Sequence, residues 1–212
     1  MHNQVMNVLA YADDIVLLSP SWRSMQSLIN ILNQAANSID MTCNINKTVV
    51  MVFEPRERRW SLGKSFPEFK LDNKCIQFVS NFKYLGHVIT NNQYDDDINR
   101  ELCNIFFRVN VLSRKFSKCT QNVKTVLFKA YCLCFYDIAL WKKFNKVSIN
   151  KFRSSYNRCC KIFFGYRRRD SLTQLLLTCQ IPSFDTVIFN AKTIFDLCRR
   201  RCDNPLVKCF LT

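Results

Sequence analysis

Glycine, proline and histidine are scarce in this chain of 212 residues, which has 3 Gly, 5 Pro and 2 His. So few Gly and Pro residues exclude a low-complexity or linker-rich protein. No stretch of about 18 apolar residues occurs, which excludes a membrane-spanning helix. The N-terminus lacks the basic start, the apolar segment and the cleavage site of a signal peptide. We therefore expect an intracellular protein, in the cytoplasm and/or nucleus, with no membrane partner.

Apolar residues are abundant enough for a packed core. Hydrophobic types make up 48% of the chain, and 18 residues are Phe. The 12 cysteines would suggest disulfides only in a secreted protein, so we expect reduced thiols. Cys198, Cys202 and Cys209 have a spacing that matches no common zinc motif. Length alone allows one domain or two small ones.

Positive charge is concentrated in the second half. The net charge is +15, from 31 Lys and Arg against 16 Asp and Glu. Residues 1–100 carry 10 basic and 10 acidic side chains, whereas residues 101–212 carry 21 basic and 6 acidic ones. A polyanion is the expected partner of so basic a region. The basic residues there alternate with Phe and Tyr, which can stack on unpaired bases.

The hydrophobic pattern changes near residue 94. Before it, short apolar runs predict a hairpin around residues 5–19, a helix capped by Ser21, a strand at 49–53 and a strand pair at 75–79 and 84–90. The polar stretch over residues 54–74 is expected to be a surface excursion. After it, the apolar period is helical, with stripes over 98–116, 123–138 and 149–163 and weaker ones to residue 201. The sequence thus predicts an α+β fold in two regions, 1–94 and 95–212. Acids 95–97 suit the dipole of the helix that follows, and we assign them no metal site.

Two adjacent carboxylates lie at the tip of the first predicted hairpin. Asp13 and Asp14 follow one apolar run and precede another. Like charges side by side repel, and a bound cation would compensate them. In two-metal phosphoryl transfer, carboxylates hold the ions that activate the attacking oxygen. The alternative is a solvated turn, because Asp is a favoured turn residue.

Three motifs follow one another along the chain. Residues 11–14 read Tyr-Ala-Asp-Asp, residues 44–48 read Asn-Ile-Asn-Lys-Thr, and residues 82–86 read Phe-Lys-Tyr-Leu-Gly. In this order they resemble the Y-A-D-D, N-x-x-K-T and F-x-Y-L-G motifs of the reverse transcriptases of non-LTR (LINE-type) retrotransposons. The resemblance implies part of a polymerase palm, with antiparallel strands, a helix and a primer-grip hairpin. An all-helical basic thumb and C-terminal extension would follow.

The resemblance also implies roles for individual residues. Asp13 would be a metal ligand and Asp14 a second acid of the same site, with Mg²⁺ (or Mn²⁺) as the ion. Lys47 would lie near the nucleotide triphosphate, where an ammonium can neutralise or protonate the leaving pyrophosphate. The residues that would contact primer or incoming nucleotide are Tyr11, Tyr84, Leu85 and Gly86. Without the family, Lys47 is a surface lysine before a strand and residues 84–86 are a plain hairpin.

Catalysis in this family needs an earlier Asp and a fingers region, and no residue here matches either. We therefore expect that these 212 residues alone do not polymerise. One hypothesis is a fragment of an RNA-directed DNA polymerase whose intact form binds RNA template, DNA primer and deoxynucleoside triphosphates. The other is a non-catalytic, basic nucleic-acid-binding remnant. The side chains that would bind phosphates are Arg114, Lys115, Lys118, Lys142, Lys143, Lys146, Arg153, Arg158, Lys161, Arg167, Arg168 and Arg169.

Overall fold

The fold is α+β, as predicted. The computed structural model describes residues 6–53, 66–91, 95–135, 137–141 and 144–209. They belong to two compact units, Met1–Asn81 and Phe82–Thr212. The sequence placed its division between residues 94 and 95. Most of the hairpin that was grouped with the first region therefore belongs to the second unit.

The first unit combines one helix with three small strand pairs. The hairpin β1–β2 is antiparallel, β3 and β6 pair in parallel, and β4–β5 is a second antiparallel hairpin. The elements are β1 (Val8–Tyr11), β2 (Asp14–Leu17), α1 (Trp22–Asn37), β3 (Val49–Val50), β4 (Lys70–Leu71), β5 (Lys74–Cys75) and β6 (Gln77–Phe78).

The first hairpin and helix follow directly from local sequence. The side chain of Ser21 accepts a hydrogen bond from the backbone N–H of Ser24 at 3.3 Å, which caps α1 as predicted. One face of α1 buries Ile29 in a small core with Phe69, Leu71 and Ile76. This core holds the helix against the strands.

One segment of the first unit differs from the prediction. Residues 54–74 were expected to be a surface excursion, and residues 54–65 lie outside the described part. The rest is not an excursion, because β4 begins at Lys70 and Phe69 and Leu71 are buried. Two apolar side chains in a polar stretch gave too weak a pattern to predict a strand.

The second unit is one short hairpin followed by helices. Its strands β7 and β8 pair with each other, and a 3₁₀ helix spans Ile138–Leu140. The remaining bounds are β7 (Asn81–Tyr84), β8 (His87–Thr90), α2 (Asp96–Phe116), α3 (Gln121–Cys132), α4 (Lys146–Phe164), α5 (Leu172–Thr178), α6 (Phe184–Arg201) and α7 (Pro205–Cys209).

An aromatic cluster fills the core of the second unit. Phe128 of α3 contacts Phe163 and Phe164 of α4, with ring centroids 5.7 and 5.6 Å apart. Phe152 of α4 meets Phe184 of α6 at 5.1 Å in an edge-to-face arrangement. Such pairs add stability beyond the burial of their area. Three helices thus share one core.

Two predictions for the second unit were wrong in detail. The stripe over 123–138 was expected to be one helix, but α3 ends at Cys132 and the chain turns before the 3₁₀ helix. Residues 84–90 were expected to pair with 75–79, but they contain the turn of their own hairpin, β7–β8. Helix α4 ends as its sequence indicates, because Gly165 adopts a left-handed φ of 76° and its N–H bonds back to Ile162.

No helix in the described ranges has the combination of length and apolar character needed to cross a bilayer.

Candidate functional site

The Asp13–Asp14 tip is a two-residue hairpin loop. Tyr11 pairs with Asp14 as the last rung of the β1–β2 ladder, so Ala12 and Asp13 form the loop. Ala12 has a φ of 53°, and a positive φ at the first loop position fits the primed turns that close two-residue hairpins. Alanine in this conformation is strained, whereas glycine would not be. Tyr11 is 64% exposed, and both carboxylates are exposed.

The two carboxylates offer the oxygen ligands that Mg²⁺ prefers. Within the described ranges, they are not joined by a third His, Cys, Asp or Glu close enough to make a three-ligand group. Two exposed carboxylates are too few to hold two ions for phosphoryl transfer. The tip therefore fits part of a two-metal site and does not complete one.

Asn44 organises the turn that presents Lys47. The Asn44 carbonyl accepts hydrogen bonds from the N–H of Lys47 at 3.1 Å and from the N–H and hydroxyl of Thr48 at 3.0 and 2.8 Å. Its side chain also accepts from the N–H of Asn46 at 3.1 Å. The Asn and the Thr of this motif are thus the residues that form the turn. The Lys47 side chain is exposed at the turn, immediately before β3.

The first hairpin and the Asn44 turn are anchored on the same core. Leu17 at the end of β2 and Ile45 inside the turn both pack against the buried cluster of α1 and β4. Asp14 lies three residues before Leu17, and Lys47 lies two residues after Ile45. Two of the three motifs therefore belong to one structural unit.

The third motif forms a tight turn in the other unit. Tyr84 ends β7, and Leu85 and Gly86 form the loop with φ values of 48° and 90°. Two successive positive φ values are typical of a type I′ hairpin turn, which explains the glycine. Tyr84 is half-buried, whereas Leu85 is exposed.

The basic side chains of the second unit divide into two kinds. Some have structural partners: Arg153 pairs with Asp185 at 2.7 Å, and the ammonium of Lys161 donates to the carbonyls of Arg168 and Asp170. Lys142 and Lys143 lie outside the described residues. The others are exposed and have no ion pair in the described part of the chain; they are Arg114, Lys115, Lys118, Lys146, Arg158, Arg167, Arg168 and Arg169.

Three of these exposed arginines form a loop after α4, residues 167–169, which we call the arginine loop. Hydrogen bonds hold its backbone. Lys161 bonds to the Arg168 carbonyl at 2.8 Å and to the Asp170 carbonyl at 2.7 Å. The Asp170 carboxylate accepts from the N–H of Arg167. The loop backbone is therefore fixed while its guanidinium groups face solvent, an arrangement suited to phosphate oxygens.

Sequence reasoning missed a buried polar network at the start of α2. Asp97 is 2% exposed and accepts from Arg100 Nε at 2.7 Å, Trp141 Nε1 at 2.8 Å and the N–H of Val88 at 3.1 Å. Glu101, also buried, accepts from Arg108 at 2.8 Å. The helix-dipole explanation of residues 95–97 accounts for their place on α2 but not for this burial.

His87 and Asp137 complete that network. His87 Nδ1 lies 3.3 Å from Asp97 Oδ2 and 3.3 Å from Asp137 Oδ2. Burial, helped by the nearby Asp97 charge, raises the pKa of Asp137 above its ordinary value. Burial also acts to raise the pKa of Asp97, but hydrogen bonds from Arg100, Trp141 and Val88 outweigh it and lower that pKa.

Comparison with known proteins gives no relative. None of the protein-family models matches the chain, and neither does any of the curated proteins or solved structures compared with it.

Proposed function

We propose that this chain is part of the palm and thumb of an RNA-directed DNA polymerase of the non-LTR retrotransposon type. The observation that carries the proposal is the Asp13–Asp14 tip, where a strained two-residue loop holds two exposed carboxylates between paired strands. Two adjacent carboxylates repel each other, and a bound cation would compensate both, which a solvated turn does not do. The intact enzyme would use Mg²⁺ or Mn²⁺ to join deoxynucleoside triphosphates to a primer.

The separate roles that we expect of the three motifs support the same function. Asp13 and Asp14 would bind metal, and Lys47, anchored on the same core, would lie near the triphosphate. Tyr84, Leu85 and Gly86 would contact the primer from the turn of β7–β8. Among the residues that the structure describes, no third carboxylate joins the tip; in this family it would come from an earlier strand. These residues therefore need that strand and a fingers region for activity.

The first test is the nucleotide sequence upstream of the Met1 codon. We expect an open reading frame that continues into an Asp-bearing strand and a fingers region. Stop codons or frameshifts there would remove the polymerase proposal.

The second test is templated nucleotide incorporation by the protein that includes this upstream region. Asp13→Asn should abolish incorporation, because one metal would lose its ligand. Asp72→Asn is a matched control, since Asp72 also lies in a two-residue hairpin loop, with a φ of 48°, but outside the three motifs. Equal losses in both variants, or incorporation by these 212 residues alone that Asp13→Asn abolishes, would contradict the proposal as stated.

A non-catalytic nucleic-acid-binding role is the second candidate. It is supported by the arginine loop, residues 167–169, whose backbone is fixed by Lys161 and Asp170. Lys and Arg side chains release counterions from phosphates, so affinity for an RNA–DNA primer–template should fall steeply with salt. Replacing the three arginines with Gln should weaken binding and reduce the salt slope by about 0.7–0.9 per lost phosphate contact.

A triple Arg-to-Gln variant at positions 199–201 is the charge-matched control. It removes the same formal charge from the end of α6, where Arg199 pairs with Asp196 at 3.2 Å. Binding that responds equally to both triple variants would indicate attraction by net charge and would contradict a site at the loop.

A further inference from the structure

We propose that His87, Asp97 and Asp137 bind a divalent ion of the zinc class in the second unit. This site is separate from the Asp13–Asp14 tip and does not depend on the proposed polymerase function. Its ligands come from three places in the chain: the start of β8, the first turn of α2 and the residue before the 3₁₀ helix.

The spacing of the three ligand atoms fits zinc. His87 Nδ1 lies 3.3 Å from an oxygen of each carboxylate, and one ligand atom from each residue lies within 4.8 Å of the others. Zinc binds His nitrogen and carboxylate oxygen at about 2.0–2.1 Å, so neighbouring ligands of a tetrahedral ion are about 3.3–3.4 Å apart. Two of the three separations therefore match the edges of such a tetrahedron.

Two of the ligand atoms are buried without a hydrogen-bond partner. His87 Nδ1 and Asp137 Oδ2 are inaccessible to solvent, and although they are 3.3 Å apart they do not have hydrogen-bond geometry. Only 13% of the Asp137 side chain is exposed. Unpartnered buried polar atoms are costly, and a bound cation would satisfy both at once.

The surrounding residues would hold the ligands in place. Asp97 Oδ2 accepts from Trp141 Nε1, and its other oxygen accepts from Arg100 and from the N–H of Val88. Hydrogen bonds of this kind fix the orientation of metal-binding carboxylates. Three protein ligands leave one position of a tetrahedral ion for a fourth ligand such as water.

The net negative charge of the network also favours a bound cation. Among the described residues, the cations paired with Asp97 and Glu101 are Arg100 and Arg108, so that together with Asp137 the group has one net negative charge when His87 is neutral. A proton on His87 would balance it, and so would a metal ion. The pair of unbonded atoms and the tetrahedral spacing favour the metal.

The test is a Co²⁺ titration of the reduced, chelator-free chain, followed by competition with Zn²⁺. Tetrahedral Co²⁺ absorbs visible light, and a thiolate ligand adds a charge-transfer band that nitrogen and oxygen ligands do not give. We expect visible absorption without that band, displaced by Zn²⁺. His87→Gln and Asp137→Asn should each weaken binding by about tenfold or more, since each removes a direct ligand.

Asp96→Asn is the matched control, because Asp96 lies in the same helical turn as Asp97 but outside the ligand group. Its affinity should equal that of the unchanged chain. Asp97 is not replaced, because its removal would also break the ion pair with Arg100. Circular dichroism on each variant verifies the fold, and Zn²⁺ should raise the melting temperature of the unchanged chain but not of His87→Gln.

Four results would overturn the proposal. The first is no binding of either ion, and the second is binding that His87→Gln leaves unchanged. The third is a spectrum dominated by thiolate ligands, which would mean that some of the 12 cysteines bind the ion instead. With only two histidines in the chain, NMR can assign His87 through the His87→Gln spectrum. A His87 imidazolium that is unaffected by Zn²⁺ at neutral pH would show that a proton fills the site.

Discussion

The two units differ most in how much apolar surface they bury. Among the described residues, the core of the first unit has four buried apolar side chains, and that of the second has nineteen. Burial is the main source of folding free energy, so the second unit should be the more stable. Yet the first unit contains two of the three motifs, including the carboxylate tip.

Exposed apolar side chains do not explain this difference, because they occur in both units. Val8 and Ile15 on the first hairpin are 45% and 44% exposed, and Phe53 is 61% exposed. In the second unit, Phe107 and Leu177 are 70% and 73% exposed. The units are therefore distinguished by the size of their buried cores and not by the exposure of apolar side chains.

The largest expected effect is on cysteine reactivity in the second unit, where it reports on the closure of the larger core. Burial raises the pKa of Cys132 and of Cys159 to about 12 from an ordinary 9.0. The thiolate fraction at pH 8 therefore falls about a thousandfold, and alkylation should wait for unfolding. Cys103 and Cys134 are exposed and should react at once. Mass spectrometry after brief iodoacetamide treatment measures this, and rapid labelling of Cys132 in the native chain would contradict a closed core in the second unit.

Core truncation should separate the stabilities of the two units. Phe128→Ala empties the centre of the aromatic cluster, which should cost about 3–5 kcal/mol of unfolding free energy in the second unit. Ile29→Ala, in the smaller core, should cost about 2 kcal/mol in the first unit. Hydrogen exchange with peptide resolution measures each loss. Equal loss of protection in both units after either change would mean that they unfold together.

The hydroxyl of Tyr156 tests whether one buried hydrogen bond contributes to the stability of the larger core. Tyr156 is fully buried and donates to the Pro182 carbonyl at 2.7 Å. Tyr156→Phe removes that hydrogen bond and leaves a carbonyl unsatisfied, so unfolding free energy should fall by about 1 kcal/mol. Urea unfolding followed by far-UV circular dichroism measures the change. An unchanged midpoint would indicate that the bond contributes nothing.

The smallest effects are expected from two left-handed residues, one in each unit. Gly165→Ala should cost about 1 kcal/mol from its φ of 76° alone, because an added Cβ meets nothing within 4 Å. Ala12→Gly should stabilise the first hairpin by about 0.5 kcal/mol, since glycine accepts the φ of 53° without strain. Thermal melts of both variants measure the changes. A stability loss on Ala12→Gly would show that the loop is not strained.

The local hydrophobic pattern was sufficient to predict much of the fold, but it did not predict the polar contacts. The first hairpin, Ser21 as a cap, and helices α2, α4 and α6 follow from apolar period and capping chemistry, and all were predicted. The β4–β5 hairpin was missed because its two buried side chains lie in a polar stretch. The early end of α3 was missed because its apolar stripe continues past the turn.

Prediction of the candidate sites has the same limit, because local geometry could be predicted and long-range contacts could not. The Asp13–Asp14 tip is local, so its hairpin geometry could be predicted from residues 8–17. The His87–Asp97–Asp137 group could not, because Trp141 and Asp137 reach Asp97 only after α2 and the later helices have packed. A charge run beside a helix start indicates a dipole partner, and nothing in the sequence marks which acid turns inward.

The contacts of Asp95 are relevant to the unfolding rate of the helical unit. Its carboxylate accepts from the N–H of Asn145 at 3.0 Å and from the Ser148 hydroxyl at 2.9 Å, so it closes a loop of 50 residues between the starts of α2 and α4. Loop closure of that length is entropically costly, so we expect this contact to form after the helices have collapsed. Contacts made late in folding slow unfolding more than they speed folding. We therefore expect the Asp95 carboxylate to slow the unfolding of the helical unit more than it speeds its folding.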